Sequence, residues 1–415
     1  MEEYDVIVVG GGPSGSTATM YLAKAGVKVL LADKAEFPRD KICGDAQGRK
    51  AANIIRELGI EKEYLRIPGQ KVYGITLSSP NGSQVDLDVE SRDKPAPGFV
   101  HKRKLFDEFL FSSAKKLAPT KVIEITGLIM GDGAVKGIIG KDKTGKTVEL
   151  RAKLVIGSDG ANSVVARKLG VLENPPEHFI VGTRQYYKGV TGLSDRIEIH
   201  MIKELLPGYF WIFPQVNGES NVGLGMIVKD MQSKKINLKE AMLRQIKENK
   251  LFKERFRNAQ PLEDMKGWSL PIASHHRKCH FNGCILIGDA ASLIDPLSGE
   301  GVGNAMISGR IAARIAIEAI KKNDFSEKFL SKYDKELWDE IGPEIRANYK
   351  VQRLGTKFPF LIDKVVMKAA KDENFRRRME KMLPYTGGRK EMGSAGFLEE
   401  LAPEEKKAIE EARKE

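Results

Sequence analysis

The feature that most constrains this chain is a glycine-rich turn between an apolar strand and a helix. Residues 4–9 (YDVIVV) predict a buried strand, residues 10–15 read GGGPSG, and a helical pattern follows. A dinucleotide-binding fold needs Gly10 for the tight turn, Gly12 for close approach of the backbone to a pyrophosphate, and Gly15 for close packing of the helix on the strand. The N-terminus of that helix then faces the phosphates. This segment therefore predicts the first βαβ unit of a dinucleotide-binding sheet.

Three further segments fit such a sheet. A second apolar strand ends at Asp33, whose carboxylate lies where these folds bind a ribose hydroxyl. Residues 154–161 (LVIGSDGA) again read as strand, turn and helix. Residues 284–291 (CILIGDAA) are followed by the glycines of GEGVG at 299–303 and by a long helical pattern, which predicts a second phosphate-facing turn at Asp289. The sequence has no second complete GxGxxG segment.

Composition excludes several other classes of protein. Hydrophobic residues make up 41% and charged residues 30% of the 415 residues, which is typical of globular α/β chains and not of disordered or fibrous ones. No stretch reaches the roughly 18 apolar residues that a spanning helix needs, and the first residues lack the basic region of a secretion signal. With only Cys43, Cys279 and Cys284, we expect a reducing, cytoplasmic location without a disulfide scaffold.

The formal net charge of +12 favours an anionic partner, such as nucleic acid, a membrane surface or a phosphorylated substrate. Basic and acidic residues are interleaved and no aromatic RNA-binding signature accompanies them, which argues against nucleic acid. The segment 275–284 (HHRKCHFNGC) gathers histidines and cysteines, but its spacing fits no standard zinc pattern. We therefore predict no metal site.

Two further motifs narrow the prediction. Residues 37–45 read FPRDKICGD, and residues 209–214 (YFWIFP) are followed, after eight residues, by GLG at 223–225. Together with the strand–turn segments, this pattern resembles the geranylgeranyl reductases, within the wider group of flavoproteins that includes p-hydroxybenzoate hydroxylase-type enzymes. The resemblance implies an α/β fold with a split Rossmann-type FAD domain, an inserted antiparallel β-sheet substrate domain and a C-terminal helical region.

The resemblance also implies FAD as the cofactor. Carried over position by position, the family's FAD contacts fall on Gly15, Asp33, Cys43, Gly44, Ala46, Arg103, Asp289, Gly301 and Val302, with Leu128 as an adenine neighbour. Arg103 begins an amphipathic helical pattern, where its guanidinium either pairs with a pyrophosphate or faces solvent. Asp33 stands where glutamate is frequent in relatives, which keeps the hydrogen bond to the ribose but shortens its reach.

Strand alternation gives the 209–225 segment a physical interpretation. One face of the first strand carries Tyr209, Trp211 and Phe213, and one face of the next carries Asn221, Gly223 and Gly225. Because glycine has no side chain, the glycines opposite the aromatic rings would leave a slot, which we predict to bind an isoprenoid chain. The alternative interpretation is that the aromatic residues are sheet core and the glycines mark a β-bulge.

The resemblance implies saturation of double bonds in geranylgeranyl chains, most closely those of archaeal-type ether phospholipids. Isolated alkenes are not electrophilic, so hydride adds only if a proton arrives before it or with it. Aromatic faces in the slot would stabilise the developing cation. The candidate proton donors are Cys43, which the family's loop places beside the flavin, and Tyr209 or a water. Cys43 as a small apolar residue without a catalytic role is an equal alternative.

Other functions and partners stay open at this point. A flavin-dependent monooxygenase of a hydrophobic substrate is the main alternative, because it would share the FAD segments. A halogenase or a quinone-reducing electron carrier fits less well, because the sequence has neither the halogenase Trp-x-Trp-x-Ile segment nor an iron–sulfur cysteine set. A reductase would take electrons from an external donor: reduced ferredoxin, deazaflavin or NAD(P)H.

The order of motifs predicts interleaved domains. The FAD-binding domain comprises residues 1–70, 97–170 and 275–325, the antiparallel-sheet substrate domain 71–96 and 171–274, and the C-terminal helical region 326–415. Within the last region, residues 354–366 (LGTKFPFLIDKVV) are apolar with flanking lysines. This segment either caps the substrate channel or lies on a lipid surface as a peripheral contact at the inner membrane face. The charged segment 404–415 predicts a final helix.

Overall fold

The computed structural model describes residues 2–382. Its strands are β1 (Glu3–Val9), β2 (Val29–Asp33), β3 (Ala46–Gln47), β4 (Gln70–Val72), β5 (Gly74–Ser78), β6 (Gln84–Asp88), β7 (Gly98–Val100), β8 (Thr120–Gly131), β9 (Ala134–Asp142), β10 (Thr147–Gly157), β11 (Phe179–Lys188), β12 (Arg196–His200), β13 (Tyr209–Pro214), β14 (Glu219–Ile227), β15 (Gln260–Pro261), β16 (Lys266–Pro271), β17 (His280–Phe281) and β18 (Cys284–Leu286). Its α-helices are α1 (Pro13–Lys24), α2 (Arg49–Glu57), α3 (Glu61–Tyr64), α4 (Arg103–Lys115), α5 (Val164–Lys168), α6 (Val228–Ser233), α7 (Leu238–Glu248), α8 (Val302–Lys322), α9 (Glu327–Lys357), α10 (Pro359–Lys371) and α11 (Glu373–Met382). The helix predicted at 404–415 lies outside the described residues.

The first sheet is built around five parallel strands in the order β8-β2-β1-β10-β18. Strand β9 pairs antiparallel with both β8 and β10, and β17 pairs antiparallel with β18. Val6, Ile7 and Val8 are fully buried, as expected of a parallel strand covered on both faces. Helices α1 and α8 pack closely, because a Cβ at Gly309 would overlap the Ser14 carbonyl oxygen. The sheet therefore presents its strand ends and two helix N-termini to one region.

The second sheet has the order β15-β11-β14-β13-β12-β5-β6, with β16 also paired to β11. Its pairs are antiparallel except β5 with β12, which run parallel, so the predicted antiparallel sheet is mixed at one place. Alternation decides which side chains reach each face of β13. Phe210 and Ile212 join a buried cluster with Met242 of α7 and Phe252, and the odd-numbered residues point to the other face.

The C-terminal helices pack against both earlier parts of the chain. Helix α9 packs on α8, and α10 and α11 cover strand β6, where Val366 and Phe375 bury Val85 and Leu87. Strands β3, β7 and β4 form a separate small sheet in the order β3-β7-β4. The predicted fold class is confirmed: a split parallel-sheet domain, an inserted, largely antiparallel sheet and C-terminal helices. Within residues 2–382, no helix is both long and apolar enough to cross a bilayer.

Candidate functional site

The first glycine turn has the backbone that its sequence predicts. Gly10 has φ +103°, in a region that side chains rarely adopt, and a Cβ at Gly15 would overlap the Gly10 carbonyl oxygen. At Gly12, by contrast, a Cβ would meet within 4 Å only the Arg39 Nη2, at 3.6 Å. Gly12 is also the N-cap of α1, and no side chain caps that helix. The turn therefore leaves open space in front of free backbone N–H groups, which suits an anion.

Asp33 ends β2 beside this turn. Its Oδ2 accepts a hydrogen bond from the Gly11 N–H at 2.6 Å, and its Oδ1 accepts one from the Ala35 N–H at 2.8 Å. The carboxylate is thereby held at the carboxyl end of the sheet. Leu128 lies on β8 and is half-buried against the core. In that strand it follows Val122, which pairs with Asp33.

The second predicted turn lies next to the first. Gly288 has φ +61°, and a Cβ there would lie 2.6 Å from the Ser14 Oγ at the start of α1. Gly301 is the N-cap of α8, again without a side-chain cap, and a Cβ on it would lie 3.7 Å from the Asp289 Oδ1. Val302 is the first residue of α8. The structure thus brings together two uncapped helix N-termini whose turns lie far apart in sequence.

Arg103 is a buried residue at the start of α4, so it does not face solvent. Its Nε and Nη2 donate to Asp107 at 2.6 and 3.0 Å, and Arg39 Nη1 donates to the same carboxylate at 2.9 Å. Although burial opposes it, the Asp107 carboxylate and the Cys43 thiol hold the pKa of the Arg103 guanidinium above its ordinary value. Sequence reasoning missed Arg39 and Asp107. Two guanidiniums thus share the Asp107 carboxylate, and Arg39 also lies beside Gly12.

A cavity of about 620 Å³ adjoins these turns. One wall is aromatic and consists of Tyr209, Trp211 and Phe213 of β13, which we call the aromatic wall. The lining also includes Val72 and Phe99, and it includes Ile75, Ile197 and Ile199, which lie in the same sheet as the wall. The predicted cofactor residues Cys43, Gly44, Ala46, Gly301 and Val302 also line it. Another cavity of about 640 Å³, between β6 and α11, is lined mainly by charged side chains and by none of the predicted site residues.

The strands of the wall pair as the alternation predicts. Tyr209 lies opposite Gly225, and Trp211 lies opposite Gly223. The expected empty slot over the glycines is absent, however, because a Cβ at Gly223 would overlap the Trp211 ring. Neither glycine is among the residues that line the cavity. Gly223 therefore makes room for the indole, and the indole in turn forms the cavity wall.

Cys43 and Gly44 form a turn that touches the aromatic wall. A Cβ at Gly44 would lie 2.9 Å from the Phe213 ring, and the Cys43 carbonyl oxygen accepts a hydrogen bond from Asn221 Nδ2 at 2.7 Å. At the other end of the wall, Tyr209 Oη donates to the Ser298 carbonyl oxygen at 2.6 Å, and burial raises the pKa of this hydroxyl. Tyr209 therefore ties the wall to the loop before α8.

Asp45 is a buried acid at this turn that sequence reasoning missed. Its carboxylate accepts hydrogen bonds from Tyr186 Oη, Asn221 Nδ2, Gln215 Nε2 and the Arg103 N–H, at 2.6, 2.9, 3.0 and 3.2 Å. Burial raises the pKa of Asp45 to about 6. These partners lie 58 to 176 residues away, so no local pattern indicates the cluster.

Helix α9 reaches the loop before α8 as well. Asn348 Nδ2 donates to Asp295 Oδ2 at 2.6 Å, and Gln352 Nε2 donates to the Pro296 carbonyl oxygen at 2.6 Å. Glu344 of the same helix pairs with Lys50 at 2.9 Å at the cavity edge. The C-terminal helical region thus fixes the loop that carries the second glycine turn.

The prediction that there is no metal site concerns the segment 275–284. His276 and His280 both face Asp334, at 3.4 and 3.6 Å, while Cys279 and Cys284 are buried and free. Among residues 2–382, no three His, Cys, Asp or Glu side chains gather as a group that would hold a metal ion.

Comparison with known proteins identifies the family. An FAD binding domain model matches residues 3–337. The digeranylgeranylglycerophospholipid reductase of Methanocella arvoryzae is 32% identical over 360 residues, which cover 86% of this chain and 88% of that protein. The reductase of the same name from Methanocaldococcus jannaschii is 35% identical over 344 residues, covering 81% and 82%. The chain belongs to the geranylgeranyl reductase family of FAD-binding proteins.

A solved structure of this family gives the same architecture. The crystal structure of a geranylgeranyl bacteriochlorophyll reductase-like protein from Thermoplasma acidophilum superposes with a TM-score of 0.81 and 28% identity, covering 94% of this chain and 99% of that one. FAD is accordingly the cofactor of this flavoprotein. The open space at Gly12, the uncapped starts of α1 and α8, and the shared charge of Arg39 and Arg103 fit the pyrophosphate. Asp33 would hold the ribose.

Proposed function

We propose that this protein is an FAD-dependent reductase that saturates carbon–carbon double bonds of geranylgeranyl chains on archaeal-type ether phospholipids. The observation that carries the proposal is the apolar, aromatic-walled cavity that shares Cys43, Gly44 and Gly301 with the candidate FAD site. A cavity of this kind suits a long hydrocarbon chain, because most of its exposed surface is apolar, while charged side chains such as Lys50 and Glu344 lie at its edge. The names of the relatives point to the same class of substrate.

For this reaction the chain's own residues must supply a proton to the alkene and a cavity surface that excludes water. Reduced FAD, when bound, supplies the hydride. Cys43 is the better placed proton donor, because it lines the cavity next to the candidate FAD site, so that its Sγ–H proton would move to one alkene carbon and leave a thiolate. Water then reprotonates the thiolate. Tyr209 already donates its hydroxyl hydrogen to the Ser298 carbonyl oxygen, which favours an anchoring role for this residue.

The aromatic wall has two tasks in this scheme. Protonation leaves positive charge on the more substituted carbon, and the ring faces of Trp211 and Phe213 attract such a charge without forming a bond to it. Their burial, with 9% and 7% of each residue exposed, also limits access of water, which would trap the cation as an alcohol.

The test is an anaerobic single turnover. The flavin is reduced chemically, a geranylgeranyl ether lipid is added, and flavin absorbance and lipid mass are followed together. We expect flavin reoxidation with a gain of two hydrogen atoms per double bond. A flavin that stays reduced until oxygen enters, with a product that gains one oxygen atom, would instead establish the monooxygenase alternative. The same assay, with reduced ferredoxin, reduced deazaflavin or NAD(P)H replacing the chemical reductant, identifies the external electron donor.

We also propose a peripheral contact between the C-terminal helices and an anionic bilayer, from which the lipid is taken. Residues 346–382 contain eleven Lys and Arg against four Asp and Glu. The apolar face of α10 and α11 packs on β6, whereas Lys371, Arg377 and Lys381 of these helices are exposed. Phe358 and Phe360 lie half-buried at the corner between α9 and α10. Charge attraction with a few apolar anchors is the usual basis of such contacts.

Vesicle co-sedimentation tests this contact. Exchange of the exposed Lys371, Arg377 and Lys381 for Gln should weaken binding to anionic vesicles roughly a hundredfold, because each basic residue near the surface contributes about 1 kcal/mol. The matched control exchanges Lys62, Lys247 and Lys253, which are equally exposed but lie elsewhere, and should bind like the parent. Equal binding of both triple variants would refute the contact.

A further inference from the structure

One buried side chain joins the Cys43 turn to the aromatic wall. Asn221 of β14 is fully buried and uses both ends of its amide. Its Nδ2 donates to the Cys43 carbonyl oxygen at 2.7 Å and to Asp45 Oδ2 at 2.9 Å, while its Oδ1 accepts from Trp211 Nε1 at 2.9 Å. Because the Asn221 side chain is fully buried, loss of any of these bonds would leave a polar group without a partner, so each bond holds its group in place.

Asp45 holds the turn in an uncommon backbone conformation. Its φ is +69°, a left-handed value that residues other than glycine rarely adopt, although Asp and Asn tolerate it best. Such a conformation persists only where its surroundings enforce it. Four donors from separate parts of the chain converge on the carboxylate and supply that enforcement.

The turn and the wall are also in direct contact. A Cβ at Gly44 would lie 2.9 Å from Phe213 Cε2 and 3.8 Å from Trp211 Nε1, so the glycine backbone lies against both rings. A shift of the turn would therefore require a shift of the rings. The thiol on one side of Gly44 and the cavity wall on the other are held as one unit.

We propose that Asp45 and Asn221 are positioning residues, which fix the Cys43 thiol relative to the aromatic wall and hence to a prenyl chain bound along it. The kinetic part of this inference rests on the proposed function. The structural part, that these two side chains hold the turn, does not.

Two neighbouring tyrosines provide a matched test. Tyr186 and Tyr187 of β11 are both buried, and each donates one hydroxyl hydrogen bond: Tyr186 to Asp45 at 2.6 Å and Tyr187 to Gln185 at 2.7 Å. Tyr186→Phe removes a donor to Asp45, whereas Tyr187→Phe removes an equivalent bond that does not touch the turn. Asn221→Ala removes the link to the wall as well.

The first readout is the rate at which iodoacetamide alkylates Cys43 in the FAD-loaded protein, measured by peptide mass spectrometry. Loss of a buried hydrogen bond should raise the rate several-fold in Tyr186→Phe and about tenfold in Asn221→Ala, with no change in Tyr187→Phe. Cys279 and Cys284 are buried and report general unfolding, so they should stay unlabelled in every variant. If Asn221→Ala does not fold, the comparison of Tyr186→Phe with Tyr187→Phe tests the proposal by itself.

The second readout is steady-state reduction of the geranylgeranyl lipid. Tyr186→Phe should lower kcat and leave KM unchanged, because the wall is intact, whereas Asn221→Ala should change both. Alkylation rates in Tyr186→Phe equal to those of Tyr187→Phe and of the parent would overturn the positioning role. Raised Cys43 reactivity in a protein that reduces no prenyl lipid would instead support the structural part and refute the proposed function.

Discussion

The two sides of the cavity are built in different ways. On the cofactor side, glycine backbones and the starts of α1 and α8 form the surface, and the critical contacts are those that a Cβ would destroy. On the aromatic side, side chains form the surface, and hydrogen bonds between distant residues hold them. Backbone surfaces are specified by a short motif, whereas side-chain surfaces depend on the whole fold. Mutations should therefore separate cofactor binding from prenyl binding.

The largest effect should come from the first glycine turn. In Gly15→Ala the new methyl group would overlap the Gly10 carbonyl oxygen, and backbone atoms cannot move aside as a side chain can. We expect little folded protein and no bound flavin. Gly12→Ala should fold, because the methyl group has space there, but should raise the Kd for FAD at least about tenfold by occupying the room for the pyrophosphate.

Flavin absorbance of the purified variants and fluorescence titration with FAD measure both outcomes. Circular dichroism separates loss of fold from loss of cofactor. A Gly15→Ala variant that folds and binds flavin would contradict the close packing of this turn.

The next effect concerns the aromatic side alone. In Gly223→Ala the new Cβ would overlap both the Trp211 ring and the Thr183 carbonyl oxygen, so the ring and strand β11 would both have to shift. In Gly225→Ala the nearest atom would be 3.5 Å from the new Cβ. We expect Gly223→Ala to lose about 1–3 kcal/mol of stability and to raise the KM for a geranylgeranyl lipid about tenfold, with FAD binding unchanged. Gly225→Ala is the control and should behave like the parent. Weakened FAD binding in Gly223→Ala would contradict the separation of the two sides.

A smaller effect should appear in the pH dependence of stability, through the buried side chain of His101, which packs against Phe99 and Phe106. Burial lowers the pKa of His101 to about 4, whereas an unfolded histidine titrates near 6.5. Below pH 6.5 the unfolded chain therefore takes up a proton that the folded protein does not. This difference should lower the free energy of unfolding by about 2 kcal/mol between pH 7 and pH 5.

Denaturant titrations of the parent and of His101→Phe at both pH values isolate this contribution, because all other titrating groups are shared. Asp45 acts in the opposite direction, since its raised pKa favours the folded state as the pH falls toward 4. Equal pH dependence in the two proteins would show that His101 takes up its proton at the same pH in the folded and unfolded states.

The smallest effect should come from the contact between α9 and the loop before α8. Asn348→Ala leaves Asp295 Oδ2 without its donor, but Asp295 Oδ1 still accepts from Leu297 and Ser298 within the loop. We expect a Kd for FAD raised by about threefold. Ser331→Ala in the same helix removes only a bond to Lys328 and serves as control. Identical affinities in the two variants would assign α9 a purely structural role.

The same comparison explains what the sequence could predict. The glycine turn at 10–15 and the pairing of Trp211 with Gly223 follow from local patterns, and the structure has both. The role of Gly223 was predicted wrongly, because alternation gives the face of a side chain but not whether a neighbouring ring fills the space above it. Asp45, Asp107 and Asn348 were missed, because each acts through partners brought together only by the complete fold.

The interleaving of the first sheet has a consequence for synthesis on the ribosome. Strand β1 pairs with β10, about a third of the chain later, and the second phosphate-facing turn is steadied by Asn348 and Gln352. Closing such long loops delays productive contacts. The nascent chain therefore cannot bring its two phosphate-facing turns together until α8 has been synthesised. Flavin retention during expression then reports that the first sheet has closed.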